Sequence, residues 1–262
     1  MLNLSELTDK VRALAIEAGD FIREERKKFH REAIEKKHAH DYVSYVDKES
    51  EKKIVTRLKE LLPEAGFIAE EGSGTLNDEQ YCWLVDPLDG TTNFIHDNAP
   101  YCVSIALRSK KELLLGVVYE ICRNECFWTY KGAPSYLNGN EIHVSAISNL
   151  DDSFIALGFP YATEEYKPMA NHLVNTLYGN VAGLRLMGAA AVELCYIAAG
   201  RFEARIEAFI GPWDIAAGTI ILQNAGGMIT DFKGGDSYPS GSQVLASNGR
   251  IHRDLLNIID NL

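Results

Sequence analysis

An apolar strand that runs straight into two carboxylates, a glycine and a pair of hydroxyls constrains this chain more than any other stretch of it: residues 83–94 read WLVDPLDGTTNF. Trp83, Leu84 and Val85 predict a buried strand, and Asp86, Pro87, Leu88, Asp89 and Gly90 turn the chain sharply at its end. In layered α/β folds, ligands collect at that end of a strand. Asp86 and Asp89 can both face one hard cation, which takes oxygen donors only, and the same kink frees the backbone carbonyl of Leu88 as a neutral ligand. Thr91 and Thr92 then open a helix, whose first N–H groups lack partners within the helix and suit a phosphate.

Taken alone, D-P-x-D-G is also a good turn, with Asp first, Pro second and Gly last. Other parts of the chain favour the chemical reading. Phe67-Ile68-Ala69 is a second short apolar run ending in carboxylates, Glu70 and Glu71, followed by Gly72. Trp213-Asp214 opens a helix expected from Ile215 to Ala225, rich in small residues and closed by Gly226-Gly227. An Asp at that position is by itself an ordinary N-terminal cap or dipole partner.

Three such sites together resemble the inositol monophosphatase family, the magnesium-dependent, lithium-sensitive sugar phosphatases. The motifs occur in order as D-Y-V-S-Y-V-D (Asp41 to Asp47), A-E-E-G (Ala69 to Gly72), D-P-L-D-G-T-T-N-F (Asp86 to Phe94), G-A-A-A-V-E-L-C (Gly188 to Cys195) and W-D-I-A-A-G (Trp213 to Gly218), so the resemblance covers nearly the whole chain. It implies an α/β (α+β) fold, the five-layer αβαβα sandwich of the inositol monophosphatase and fructose-1,6-bisphosphatase type. One domain over residues 1–262 is expected, with an N-terminal α+β half of about 1–140 and a C-terminal α/β half of about 141–262. The resemblance further implies a homodimer, and the cysteine usage implies a cytoplasmic location.

For the site, the resemblance implies that Glu70, Asp86 and the Leu88 carbonyl hold a first Mg²⁺, that Asp86, Asp89 and Asp214 hold a second, and that Asp47 and Glu70 serve a weaker third position. Five carboxylates packed together are untenable without cations, because like charges raise one another's pKa values; two or three Mg²⁺ would bring the site near neutrality and let a phosphate bind. The implied reaction is attack of a metal-activated water on phosphorus. Thr91 would relay protons to the catalytic carboxylates Glu70 or Asp47, and the N–H groups of Gly90 and Thr91 would bind phosphate oxygens. Li⁺ is the expected inhibitor, competing at the position held by Asp89 and Asp214.

Glu207 matches the family position that hydrogen-bonds a polyol hydroxyl, Asp89 and Asp214 could also reach the substrate, and the turn from Gly188 to Ala190 approaches its ring. Three residues depart from the family pattern: Ala189 stands where Ser or Thr is usual and removes a hydroxyl, Ala69 replaces Gly, and Ser44 replaces Thr. The polar segment Lys36 to Asp41 matches the loop that closes over the metals. The reading is therefore a Mg²⁺-dependent phosphomonoesterase for inositol 1-phosphate or a related sugar or polyol phosphate. Rivals are a fructose-1,6-bisphosphatase, a 3′-phosphoadenosine 5′-phosphate phosphatase, and a non-catalytic metal-binding regulatory protein. Thr92-Asn93-Phe94 argues against the nucleotide type, which resembles D-G-T-K-x-F.

Composition agrees. A net charge of −11 argues against a nucleic-acid partner and leaves a small phosphate ester to be bound through metal. At 262 residues and 46% hydrophobic, the chain can bury a full core, and no segment is apolar for long enough to span a membrane. Five cysteines, an odd number among mostly apolar neighbours, read as reduced thiols, and Cys122 and Cys126 have no second pair to complete a zinc site. The seven histidines show no paired ligand spacing, and most read as solvated. Periodicity predicts a helix over Leu4 to Ile22, a second helix after Asp47, a mobile polar stretch from Glu32 to Tyr45 between them, an antiparallel meander from Tyr101 to Tyr130, and alternating strands and helices after Gly139.

Overall fold

Leu7, Val11, Leu14, Ala15, Ala18 and Ile22 recur at helical spacing, and in the computed structural model they form the buried stripe of helix α1 (Leu4–Lys28). The structure describes residues 2–30, 34–38, 41–74, 79–160, 163–240 and 243–260. After α1 come strands β1 (Ile34–His38) and β2 (Asp41–Ser44), helix α2 (Tyr45–Leu61), strands β3 (Ala65–Ala69) and β4 (Tyr81–Asp89), and the short helix α3 (Thr91–Ile95). The meander follows as β5 (Cys102–Ser109), β6 (Leu113–Glu120) and β7 (Glu125–Tyr130), extended by β8 (Ser135–Leu137) and β9 (Asn140–Ile142). The remaining elements are β10 (Phe154–Gly158), α4 (Thr163–Leu177), β11 (Gly183–Arg185), α5 (Ala190–Ala198), β12 (Ala204–Ala208), α6 (Pro212–Asn224), β13 (Met228–Thr230), β14 (Gln243–Ser247) and α7 (His252–Ile259).

Two sheets carry the layers. β3 to β9 lie side by side in chain order in a seven-stranded sheet, and the five-stranded sheet has the order β11-β10-β12-β14-β13. Alternation along β5 shows why both faces of the first sheet are covered: Val103, Ile105 and Leu107 pack with α1 and α2, whereas Cys102 and Ala106 pack on the opposite side with α5 and α6. α5 and α6 are apolar on all sides because they lie between the two sheets, and α4 and α7 cover the outer face of the second sheet. The result is the expected five-layer αβαβα arrangement. Gly116 on β6 lets α6 approach closely: a Cβ there would lie 2.7 Å from the Ala217 carbonyl oxygen.

Several local expectations change. Strand β4 does not stop at Val85 but continues through Asp89, and α2 begins before Asp47, with Ser44 as its N-cap. Ser44 and Asp47 form a capping box, in which each side chain serves the other's backbone or hydroxyl, so Asp47 lies in the first helical turn. The stretch read as mobile contains the antiparallel pair β1 and β2, with Lys36 opposite Tyr42. Weak strand propensity in so polar a stretch hid that pairing. Of the expected closing loop Lys36 to Asp41, Ala39 and His40 lie outside the described residues. Four of the five free thiols are buried and Cys122 is exposed. Among the described residues, no helix is long and apolar enough to cross a membrane.

His252 was read with the solvated histidines, yet it is 3% exposed. Its ring nitrogens lie 2.9 Å from Thr230 Oγ1 and 2.8 Å from Ser247 Oγ. Burial lowers its pKa to about 4. The unfolded chain therefore binds a proton more readily than the folded one, so this histidine's stabilisation is complete above its ordinary pKa and is lost as pH falls through 6.5 towards 4. The expected loss is up to ~3 kcal/mol. A urea-midpoint series from pH 7.5 to pH 4 should fall more steeply for the parent than for His252→Gln; parallel curves would exclude His252 as the acid-sensitive group.

Candidate metal and phosphate site

Strand β4 delivers both motif aspartates because its pairing with β5 slips at the kink. Asp86 stands opposite Ser104 and Asp89 opposite Cys102, so Pro87 and Leu88 together face the single residue Val103. This bulge re-aims the strand end. Asp86 Oδ1 accepts the Leu88 N–H at 3.0 Å, which fixes the turn. Gly90 follows in the left-handed region (φ +90), and a Cβ there would lie 2.9 Å from the Pro100 carbonyl oxygen. Glycine is therefore required on both counts, and its position as N-cap starts α3 at Thr91.

Helix α2 aims three polar residues at this turn, with spacings of three and one that keep them on one face. Asp47 Oδ2 accepts the Ser44 N–H at 2.9 Å and its hydroxyl at 2.7 Å, while Oδ1 accepts the Thr91 hydroxyl at 2.9 Å. Thr91 Oγ1 also lies 3.1 Å from the Leu88 carbonyl, and its one proton can serve only one of these two acceptors at a time. Ser50 donates to the Pro87 carbonyl at 3.2 Å. Glu51 accepts the Glu71 N–H at 2.7 Å and the Ser73 N–H at 2.9 Å, so it holds the turn that presents Glu70 beyond β3.

The other carboxylates are seated at helix N-termini. Asp89 Oδ1 accepts the Ala190 N–H at 3.1 Å and Oδ2 the Ala191 N–H at 2.7 Å. It thus serves the start of α5, where Ala189 offers no capping hydroxyl. Asp214 Oδ2 accepts the Gly211 N–H at 2.7 Å, so the capping role weighed from sequence is real. It is compatible with a second role, since the same carboxylate also meets Asp86.

Electrostatics tie these positions together. Burial first, then the charges of Glu70, Asp89 and Asp214, push the Asp86 carboxyl well above the usual range. Asp214 is raised by burial and by Asp89 and Glu70, and shares a hydrogen bond with Asp86. Asp89 is pushed up to about 6 by burial, against the lowering effect of its two N–H donors and Arg205. Asp47 is raised by burial and, more weakly, by Glu70. Glu70, Asp86, Asp89 and Asp214 therefore converge, and Asp47 joins them through Glu70 and Thr91.

The donor set fits a hard divalent cation: it offers only carboxylate and carbonyl oxygen, and its crowded charges need compensation. Among the described residues, no three acidic, histidine or cysteine side chains already stand as a closed ligand cage. Asp47, Asp89 and Asp214 are instead turned onto hydroxyl or N–H donors, partners that a cation would compete with.

The Glu207 carboxylate pairs with Arg205, and the pairing continues to Glu193 on α5. At the end of the turn from Gly188 to Ala190, the Ala190 N–H is engaged by Asp89. Sequence reasoning passed over Arg205, Glu193 and Glu51. For Arg205 and Glu193 the available signal was charge inside two apolar elements, ARIEA and AAVELCYIA, which demands a buried partner; Glu51 lies in a charged helix that gives no such signal.

The profile of the inositol monophosphatase family matches residues 3–261. The Nus factor SuhB of Pasteurella multocida is 39% identical over 225 residues, covering 85% of this chain and 84% of that protein. Among solved structures, the extragenic suppressor protein suhB of Bartonella henselae superposes with a TM-score of 0.89 at 33% identity, covering 94% of this chain and 95% of the other. The Thermotoga maritima IMPase gives a TM-score of 0.88 at 29% identity, covering 97% and 96%.

Proposed function

The chain belongs to the inositol monophosphatase family, and from that premise we propose that it is a Mg²⁺-dependent phosphomonoesterase acting on inositol 1-phosphate or a related sugar or polyol phosphate. The observation that carries the proposal is the convergence of Glu70, Asp86, Asp89 and Asp214, where burial first and then the neighbouring charges raise the Asp86 carboxyl. Glu70, Asp86 and the Leu88 carbonyl would hold one cation, Asp86, Asp89 and Asp214 a second, and Asp47 with Glu70 a weaker third. Bound there, the cations would neutralise the phosphate's charge and supply a water acidic enough to act as nucleophile near neutral pH.

This chain's own residues do the rest. The Thr91 hydroxyl donates its hydrogen bond to Asp47 Oδ1, which leaves its oxygen lone pairs free to accept a hydrogen bond from the attacking water. Glu70, on the turn held by Glu51, is the neighbouring carboxylate that can take that water's proton. The N–H groups of Gly90 and Thr91 bind phosphate oxygens, using the left-handed turn at Gly90. On the leaving-group side, Glu207, Asp89, Asp214 and the backbone around Ala190 read the hydroxyls.

The test is phosphate release with and without Mg²⁺ from inositol 1-phosphate, fructose 1,6-bisphosphate and 3′-phosphoadenosine 5′-phosphate. Mg²⁺-dependent release is expected, strongest from inositol 1-phosphate and suppressed by millimolar Li⁺. A second reading is supported by the name Nus factor carried by the curated relatives: a protein that keeps the metal site but acts through contact. It would be preferred if the protein binds Mg²⁺ yet releases no phosphate from any ester of the panel.

A further inference from the structure

A second buried charge cluster lies beside the carboxylate site. Arg205, 2% exposed, pairs through Nη1 with Glu193 Oε2 and through Nη2 with Glu207 Oε2. The two strand residues are separated by one position, which puts both on the same face of β12. Glu193 in turn accepts the Met187 N–H at 3.1 Å and the Gly188 N–H at 3.0 Å, holding the loop that leads into α5. Asn93 of the D-G-T-T-N-F motif donates to the Met187 carbonyl at 2.7 Å, so this loop is also tied to the phosphate side.

Gly158, at the end of β10, stands in register with Glu207. A Cβ at position 158 would lie 2.3 Å from Glu207 Cδ and 2.4 Å and 2.6 Å from its two carboxylate oxygens. The Glu207 carboxylate therefore rests on bare backbone, a resting place that exists only because residue 158 has no side chain. Its side chain keeps 15% exposure, and the hydrogen bond from Arg205 goes to Oε2.

We propose that Arg205 and Gly158 form a seat that fixes the Glu207 carboxylate in one orientation, making Arg205 a positioning residue that selects neutral, hydroxyl-bearing leaving groups. The proposal rests on the phosphatase reading above, in which Glu207 faces the leaving group. With Oε2 committed to Arg205, Oε1 remains to accept one hydroxyl hydrogen in a fixed direction, and the acceptor does not have to be ordered when substrate arrives. Arg205 balances only one of the two carboxylates it pairs with, so the Glu193–Arg205–Glu207 cluster keeps one net negative charge, which disfavours an anionic leaving group.

The first variant is Gly158→Ala, because the atoms it displaces belong to the far end of a flexible side chain and the fold can accommodate it. Steady-state kinetics with Mg²⁺ are compared for inositol 1-phosphate and for phenyl phosphate, whose leaving group offers no hydroxyl to Glu207. The expected result is a KM for inositol 1-phosphate raised about tenfold, the scale of one hydrogen bond to a charged group, with kcat/KM for phenyl phosphate within about twofold of the parent. The paired variant Glu193→Gln/Arg205→Met, which removes the fully buried carboxylate together with the arginine and leaves the Glu207 carboxylate unseated, should lower the same preference. Equal change for both esters, or no change for either, overturns the seat while leaving the phosphatase reading intact. If the parent turns over neither ester, calorimetric binding of the two in Mg²⁺ decides: a preference for inositol 1-phosphate that Gly158→Ala abolishes upholds the seat and rejects the phosphatase reading, and equal affinities reject the seat.

Discussion

Asp86→Asn is expected to lower kcat/KM by at least about a thousandfold, ~4 kcal/mol of transition-state stabilisation, while making the metal-free protein more stable. The two effects share one cause. Asp86 is 2% exposed and faces Glu70, Asp89 and Asp214, so without cations its ionised form is penalised by burial and by its neighbours. A carboxyl whose pKa is raised by folding destabilises the folded state as pH rises above the ordinary carboxylate range, and that cost grows until the pH passes the raised pKa. Asn keeps the shape and can still accept the Leu88 N–H, so the turn survives while the repulsion goes. The same change removes the proposed bridge between two cations. Thermal unfolding with and without Mg²⁺ separates the effects: the parent should gain stability with added Mg²⁺, and Asp86→Asn should start higher and gain little. A variant that retains turnover, or one that melts lower than the parent without metal, would remove Asp86 from the centre of the site.

What sequence could show of this site follows from which interactions are local. The Asp86–Gly90 turn was legible because proline, aspartate and glycine set backbone geometry at fixed offsets, and the meander was legible because its apolar runs are broken by polar turns at Lys110-Lys111 and Arg123-Asn124. The capping box at Ser44 and Asp47 was equally local and could have been read, but Asp47 was valued as a ligand and its place in α2 was missed. Other features were not legible, because their partners are distant in sequence. Asp89 seats the N-terminus of α5 from a hundred positions away, and His252 is buried against Thr230 and Ser247 by the closing of the second sheet. The role of Glu51 depends on the turn after β3 passing over α2, which no pattern within either segment announces. The carboxylates were thus identifiable one by one, whereas the donors that hold each of them were supplied by the fold.

Arg205→Met should destabilise the protein by about 3–5 kcal/mol, because it leaves Glu193 as a buried charge without its counter-ion. Length is not the issue, since Met fills much the same path along β12; the loss is electrostatic. Glu193 is fully buried and already accepts two N–H groups through Oε1, and these cannot replace a full positive charge at Oε2. Glu193→Gln/Arg205→Met should therefore recover much of the loss, because the amide oxygen still holds the Met187 and Gly188 N–H groups and the one carboxylate left without the arginine, Glu207, keeps 15% exposure to solvent. Urea unfolding of the parent, both single variants and the double variant yields the coupling directly. A large favourable coupling identifies the pair as a device whose charges are needed only because both are present, so its retention points to a task beyond stability, such as seating Glu207. If the double variant is as unstable as Arg205→Met, the arginine is instead required for packing, and the connection between this buried cluster and substrate selection loses its energetic basis.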